Sequence, residues 1–378
     1  MQFKEIIGQK KAIQGLITLY NSGRMPHAIM LLGKEGVGGL PIALSFIQYL
    51  FCENKQENDS CGNCSSCIKV HKLAHPDLHL SFPTISPKPG TKASSNYFLT
   101  EFREFVQQTP YKSTFDWLQF INAENKQGNI SAEECREIID RLNMTAFEGG
   151  QKVQLIWRPE FLGKEGNILL KLIEEPPANT LILMVAESVE SVLKTILSRV
   201  QLLQLAPLST LEIAEALQNR LNIEPRRAMQ IAHLAENNYA AALSLLQFAG
   251  NDLFPAMRSW FNGIFTKSSK MTNEWVEERA KEGREQQKNL LIYVQQILAH
   301  ALRMTMIQQY QPALLDDELD FVKKLAQKKL DSSIYQNMTE AISKTVFHIE
   351  RNSNSKIQLL FLSLQMQYLL TGKKLETV

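Results

Sequence analysis

Ala28-Ile29-Met30-Leu31-Leu32-Gly33-Lys34-Glu35-Gly36-Val37-Gly38-Gly39-Leu40 is the stretch on which the reading of this chain turns. Five apolar residues closed by a glycine suit a strand buried on both faces of a parallel sheet. The glycine-rich turn at 33–39 opens an apolar stretch at 40–51 that reads as a helix, with Pro41 tolerated near its start. Strand, glycine turn and helix in that order form the setting of the phosphate-loop pattern G-x-x-x-x-G-K-[ST]. Gly33 and Gly38 fill its two glycine positions. Gly39 stands where the phosphate-neutralising lysine belongs, and Leu40 where the magnesium-binding hydroxyl belongs. Lys34 is on the wrong side of the turn to substitute. The backbone nest around Gly33, Gly36, Gly38 and Gly39 can survive such changes, but the grip on a triphosphate cannot. Hydrolysis of ATP at this site is not expected.

Working outward, Val153–Trp157 and Thr180–Ala186 read as two further strands. Ser131, with Glu134 three residues on, carries a capping-box signature for a helix before the second strand. Asn167–Glu175 reads as a helix stopped by Pro176-Pro177. The resulting β-α-β-α-β order predicts a parallel sheet covered by helices. The second strand ends Trp157-Arg158-Pro159-Glu160, so Trp and Arg stand where a phosphate-loop ATPase needs acids for magnesium and water. That is a second loss in the same site, independent of the first.

Elsewhere, residues 4–20 have apolar positions at helical spacing, 82–97 form a Pro/Gly/Ser loop, and 98–120 look like added helical material. Beyond Pro207 the strand signals fade. Three short helical segments follow at 209–249, then helical pattern from 252 to 373, with long periodic stretches at 286–309 and 335–370.

The chain has 378 residues, enough for two or three domains, and 44% hydrophobic with 21% charged residues is ordinary for a globular protein. Forty-one Lys and Arg against 39 Asp and Glu leave a net charge of +2, too little for a chain-wide field that attracts DNA. No apolar run reaches the ~18 residues of a membrane span, and the opening Met1-Gln2-Phe3-Lys4-Glu5 lacks a signal-peptide core, so a cytoplasmic location away from membranes is expected. Cys52, Cys61, Cys64 and Cys67 are clustered in a way that, in a reducing compartment, points to a metal. Two C-x-x-C steps share Cys64, and four thiolates satisfy tetrahedral zinc with no position left for water, so the expected Zn2+ site is structural. His71, His75 and His79 are possible substitute ligands; Cys135 reads as a core residue.

Several motifs in order resemble the delta-prime and gamma/tau subunits of bacterial clamp loaders, a branch of the AAA+ proteins. They are Phe3-x2-Ile6-Ile7-Gly8-Gln9, Pro26-His27-Ala28, the four cysteines after the phosphate-loop helix, His75-Pro76-Asp77, and Ile130-Ser131 through Arg136. Phe147-Glu148-Gly149-Gly150-x-Lys152-Val153, Leu169-Leu170-Lys171-Leu172-Ile173-Glu174-Glu175-Pro176-Pro177 and Ser198-Arg199-Val200 complete the set. The ordered motifs cover about 1–250. The 83–120 insertion is longer than the family pattern, and Val200 replaces the cysteine of the Ser-Arg-Cys motif.

The resemblance implies an AAA+-type α/β domain at 1–207 with a zinc module at 52–67, a helical lid at 208–250, and an all-α collar for oligomerisation at 251–378. Within the family, the degenerate phosphate loop falls on the delta-prime side, as does Ala240 near the position of an ATP-sensing arginine. The implied role is that of a non-hydrolysing member of the DNA polymerase III holoenzyme, partnered with gamma/tau and delta subunits and acting with them on a sliding clamp and primed DNA. Arg199 would reach the γ-phosphate of ATP held by a neighbouring subunit, with Ser198 positioning it. Lys171, Glu174 and Glu175 read as helix-surface charges, and Arg226 and Arg227 as unranked candidates for DNA phosphate. Two rivals are an active gamma/tau-like AAA+ ATPase and a zinc-dependent nucleic-acid-binding protein. Gly39 and Leu40 count against the first. Lys55, the only basic residue at 52–67 against Glu53, Glu57 and Asp59, counts against the second.

Overall fold

The three apolar runs form the middle of one parallel sheet. Ala28–Leu32 (β1), Leu78–Ser81 (β2), Lys152–Trp157 (β3), Thr180–Ala186 (β4) and Gln201–Gln204 (β5) lie in the order β2-β3-β4-β1-β5. Ala28 pairs with Ile182 and Leu32 with Ala186. The computed structural model describes residues 1–371 apart from 89, 124, 125, 127, 149, 249–252, 308, 311, 313, 315, 329, 351 and 352. Gly149 and the expected 250/251 boundary lie outside the described residues. The chain divides into two compact units, one of residues 1–223 with 235–241, the other of 224–234 with the residues from 242 onward.

In the first unit, strand alternation feeds two cores. Leu181, Leu183 and Val185 of β4 point to one, while Ile182, Met184 and Ala186 point to the other. The first is covered by α1 (Lys10–Asn21), α2 (Gly39–Phe51) and α4 (Leu99–Gln108), through Leu16, Phe46 and Phe102. The short α3 (Ser65–His71) packs on α2, and α5 (Thr114–Phe120) on α4. The opposite core is covered by α6 (Ala132–Asn143), α7 (Leu170–Glu174) and α8 (Lys194–Leu197), through Ile138, Ile173 and Ile196. This is the expected parallel sheet covered by helices on both faces, and α9 (Thr210–Leu221) follows it.

The second unit is helical throughout its described residues. It contains α10 (Pro225–Leu234), all but the first turn of α11 (Tyr239–Phe248), α12 (Leu253–Phe265), α13 (Ser269–Arg279), α14 (Arg284–Met306), α15 (Asp316–Gln327), α16 (Ser332–Glu350) and α17 (Ser355–Thr371). Trp260 stacks on Trp275 at 4.9 Å and donates its indole N–H to Ser363 at 2.8 Å, which fixes α12 against α13 and α17.

Four expectations are corrected. The helical spacing over 4–20 is broken into a single turn at Phe3–Glu5 and α1, because Gly8 and Gln9 take left-handed φ of +60° and +58°. The helix expected at Asn167–Glu175 is α-helical only in α7; 3-10 turns kinked at Gly163 precede it. The periodic stretch at 335–370 is two helices, and the Asn354 side chain accepts the Ile357 N–H at 3.2 Å to start the second. The capping box at Ser131 is half made. Its hydroxyl accepts the Glu134 N–H at 3.2 Å, but Glu134 turns inward instead of back to its cap.

That inward carboxylate anchors the insertion. Glu134 is 1% exposed, and it accepts the Ser81 hydroxyl and the Ser95 N–H, each at 2.6 Å. Around it Phe82 stacks on Phe102 at 3.9 Å, Trp117 meets both rings edge-on, and Trp157 of β3 closes the cluster 5.6 Å from Phe102. Glu134→Ala leaves two buried donors unmatched and is expected to cost about 2–4 kcal/mol. A fall in the urea midpoint at unchanged slope checks this; an unmoved midpoint refutes it.

Candidate functional site

The glycine turn has kept its shape. Gly36 and Gly38 hold φ of +75° and +101°, which only glycine adopts without strain. A Cβ on Gly36 would fall inside the Asn238 side chain, and the Gly36 carbonyl accepts the Tyr239 N–H at 3.2 Å. Gly33 donates to the Ala186 carbonyl at 3.1 Å and so continues the β1–β4 ladder. Gln9 pins the turn, its amide donating to the Val37 carbonyl at 3.1 Å and the Ala206 carbonyl at 2.6 Å. The left-handed conformation that broke the first helix therefore aims a side chain at the site.

The residues at the expected phosphate-loop and strand-end positions are engaged in packing and ion pairs. A Cβ at Gly39 would stand 2.7 Å from Val185 Cγ1, so a side chain there requires Val185 to shift. Leu40 is buried in the core with Ile42 and Phe46. Trp157 belongs to the aromatic cluster described above. Arg158 takes a left-handed φ of +64°, ion-pairs with Glu187, and lies 3.4 Å from Glu160. Glu160 in turn accepts the N–H groups of Glu187, at 2.5 Å, and Ser188, at 3.1 Å.

Beside the turn is a cavity of about 610 Å³ lined by Lys34, Glu35, Glu187 and Glu236 among others. Burial pushes the Glu187 carboxyl up to about 7; Arg158 pulls against this and Glu35 adds to it. With Glu187 paired to Arg158, Glu35 and Glu236 face Lys34, and the cavity presents no excess of positive charge to a phosphate. Sequence reasoning missed Glu187 and Asn238, since each acts through tertiary placement; Gln9 stood in the opening motif at 3–9, but its contact with the turn was not legible there.

The four cysteines come together. Their sulfurs all lie within 4.8 Å of one another, with Cys61 and Cys67 3.9 Å apart. A tetrahedron with Zn–S bonds of ~2.3 Å has edges of about 3.8 Å, so the donor set fits such an ion. Backbone N–H groups aim at the sulfurs, from Cys61 to Cys52 at 3.2 Å and from Cys64 to Cys61 at 3.4 Å. Hydrogen bonds from the Asn63 and Cys64 backbone hold the Cys61 thiol down at about 6, while burial pushes Cys52 and Cys67 up. Cys64 also caps α3 by accepting the Cys67 N–H. Among the described residues, His71, His75 and His79 are outside this cluster; His75 stacks on Phe51 at 4.0 Å. Cys135 is buried in the core beneath α6.

Ser198 and Arg199 end α8. Arg199 pairs with Glu174 at 2.5 Å and donates to the Thr195 carbonyl at 2.8 Å and the Ser198 hydroxyl at 3.0 Å, with its side chain 33% exposed. The Glu174 expected to be a bare surface charge is thus its partner.

A parallel sheet with a glycine turn at the end of an interior strand, opening a helix, is the framework of a phosphate-loop-type α/β protein. The chain belongs to the family described as DNA polymerase III, delta subunit, whose model matches residues 8–209, more than half of the chain. It is 25% identical over 233 residues to DNA polymerase III subunit delta' of Escherichia coli, covering 61% of this chain and 58% of that one. It is 27% identical over 246 residues to subunit delta' of Bacillus subtilis, covering 64% and 60%, and 26% identical over 255 residues to subunit gamma of Buchnera aphidicola subsp. Acyrthosiphon pisum, covering 66% and 59%. The matched stretch thus spans about three-fifths of each relative. A solved structure of a DNA polymerase III gamma subunit-related protein from Thermotoga maritima superposes with a TM-score of 0.40 at 14% identity, covering 93% of this chain and 98% of that one. No helix among the described residues is long and apolar enough to cross a membrane.

Proposed function

We propose that this chain is a non-hydrolysing, delta-prime-type subunit of a bacterial DNA polymerase III clamp loader. It would sit in the cytoplasm with gamma/tau and delta subunits and help place a sliding clamp on primed DNA. The observation that carries this reading is a glycine turn kept in shape while Val185, Leu40, Trp157 and Arg158 fill the positions of the cation, hydroxyl and acids. A pocket that had merely drifted would not keep Gln9 and Asn238 pinning its turn.

In this reading 1–207 is the AAA+-type part, stapled by zinc on Cys52, Cys61, Cys64 and Cys67; 208–250 is the lid and 251–378 the collar. Ile357, Phe361 and Leu364 of α17 are exposed at spacings of four and three, one apolar helical face, which supports a collar role. Arg199 is the proposed arginine finger toward a neighbouring ATP, steadied by Ser198.

The test is to titrate the purified chain with magnesium-ATP and measure phosphate release. The chain is then reconstituted with its gamma/tau and delta subunits, clamp and primed DNA. The expected result is no turnover alone, and ATPase and clamp loading in the complex that depend on this chain. Sustained hydrolysis by the chain alone would make it a motor subunit instead.

A further inference from the structure

The insertion at 83–120 is the feature that the functional reading leaves without a role. Between α4 and α5 it delivers Tyr111, 3% exposed, to the glycine turn. Atom Cε1 of that ring is 3.1 Å from where a Cβ on Gly38 would stand, so the ring lies against the turn itself. The Tyr111 hydroxyl accepts the Ile7 N–H at 2.9 Å. The Tyr239 ring meets it edge-on at 5.1 Å, and the Arg220 guanidinium lies 5.5 Å from its centre. Burial pushes the phenol up to about 12, so it stays neutral.

Four segments distant in sequence therefore converge on one flat ring: Ile7, Gly38, Arg220 and Tyr239. A planar ring against a glycine turn, with a backbone N–H directed at an acceptor on its edge, is the contact set a pocket offers to a heteroaromatic base. We propose that Tyr111 is a resident substitute for the base of a nucleotide, an internal ligand that closes this pocket to free nucleotide. The inference rests on the non-hydrolysing reading and deepens it. Loss of the lysine weakens the grip on phosphate, while Tyr111 denies the rest of the molecule a place. The same ring ties the segment before α1, the glycine turn and the start of α11 together, so the base side of the turn is filled while the cavity beside Lys34, which Tyr111 does not line, stays open.

The test uses the full-length chain and the fluorescent nucleotide mant-ADP, read by anisotropy. Wild type is expected to show no binding up to about 1 mM, and Tyr111→Ala to bind at least about tenfold more tightly. Wild type binding as well as the variant overturns the proposal. So does a folded Tyr111→Ala that still binds nothing, a result that leaves the absence of hydrolysis by the chain alone untouched. Should Tyr111→Ala fail to fold, Tyr111→Phe keeps the ring and removes only the acceptor. Hydrogen exchange at the Ile7 amide is then expected to quicken by about tenfold or more, and an unchanged rate refutes the assignment.

Discussion

Arg199→Ala is expected to lower ATP turnover at the adjoining site of a reconstituted clamp loader by about 10³-fold, with the complex still assembled. The side chain is already ordered by Glu174, Thr195 and Ser198 at the exposed end of α8. An ion pair this exposed contributes at most about 1 kcal/mol, so a phosphate can displace Glu174 with little loss. A guanidinium offers a planar fork to phosphate oxygens, which an ammonium does not, so Arg199→Lys is expected to recover only part of the rate. Steady-state phosphate release gives the rate, and gel filtration shows whether assembly is intact. Unchanged turnover in an intact complex would remove the finger assignment.

Stripping the metal from the four-cysteine cluster is expected to lower the melting temperature by about 10 °C or more. Cys52 ends α2, whose side chains fill the first core, and Cys64 starts α3, which packs on α2. Without an ion, four thiols crowded within 4.8 Å have only weak S–H contacts to one another, and the 52–67 segment rests on hydrogen bonds of Asp59, Ser60 and Glu53. Cys64→Ser should behave like the chelated protein. Metal content by elemental analysis, together with melting curves before and after chelation, checks this. A protein that carries no metal and melts at the same temperature after chelation rules out a structural ion.

The legible part of the fold was the part buried on both faces. β1 and β4 were delimited in the sequence at the residues where they occur, and β3 to within one, because continuous apolar runs are unambiguous at the centre of a parallel sheet. β2 and β5 were missed for opposite reasons. Leu78–Ser81 is short and carries His79 in its middle, whereas Gln201–Gln204 is an edge strand with mostly exposed side chains and no apolar run to betray it. Gly8 held a readable warning that the first helix was broken, but apolar spacing on both sides masked it.

The candidate site was legible wherever a residue type was wrong for its position, as at Gly39, Leu40, Trp157 and Arg158. It was illegible wherever the contribution comes from far away. Nothing near Tyr111 signals that it will meet Gly38, and nothing near Glu134 signals that its carboxylate will serve Ser81 and Ser95 in place of its own helix. Local patterns report what a helix or strand needs; they are silent on what an insertion will touch.

The indole at the end of β3 also constrains what the strand can carry. An aspartate at 157 would have to ionise beside Phe102 and Phe105, where an uncompensated charge costs several kcal/mol. A single exchange to an acid at 157 would therefore leave a charge without a partner in the cluster, and an acid can stand there only together with changes in the helix that packs on it.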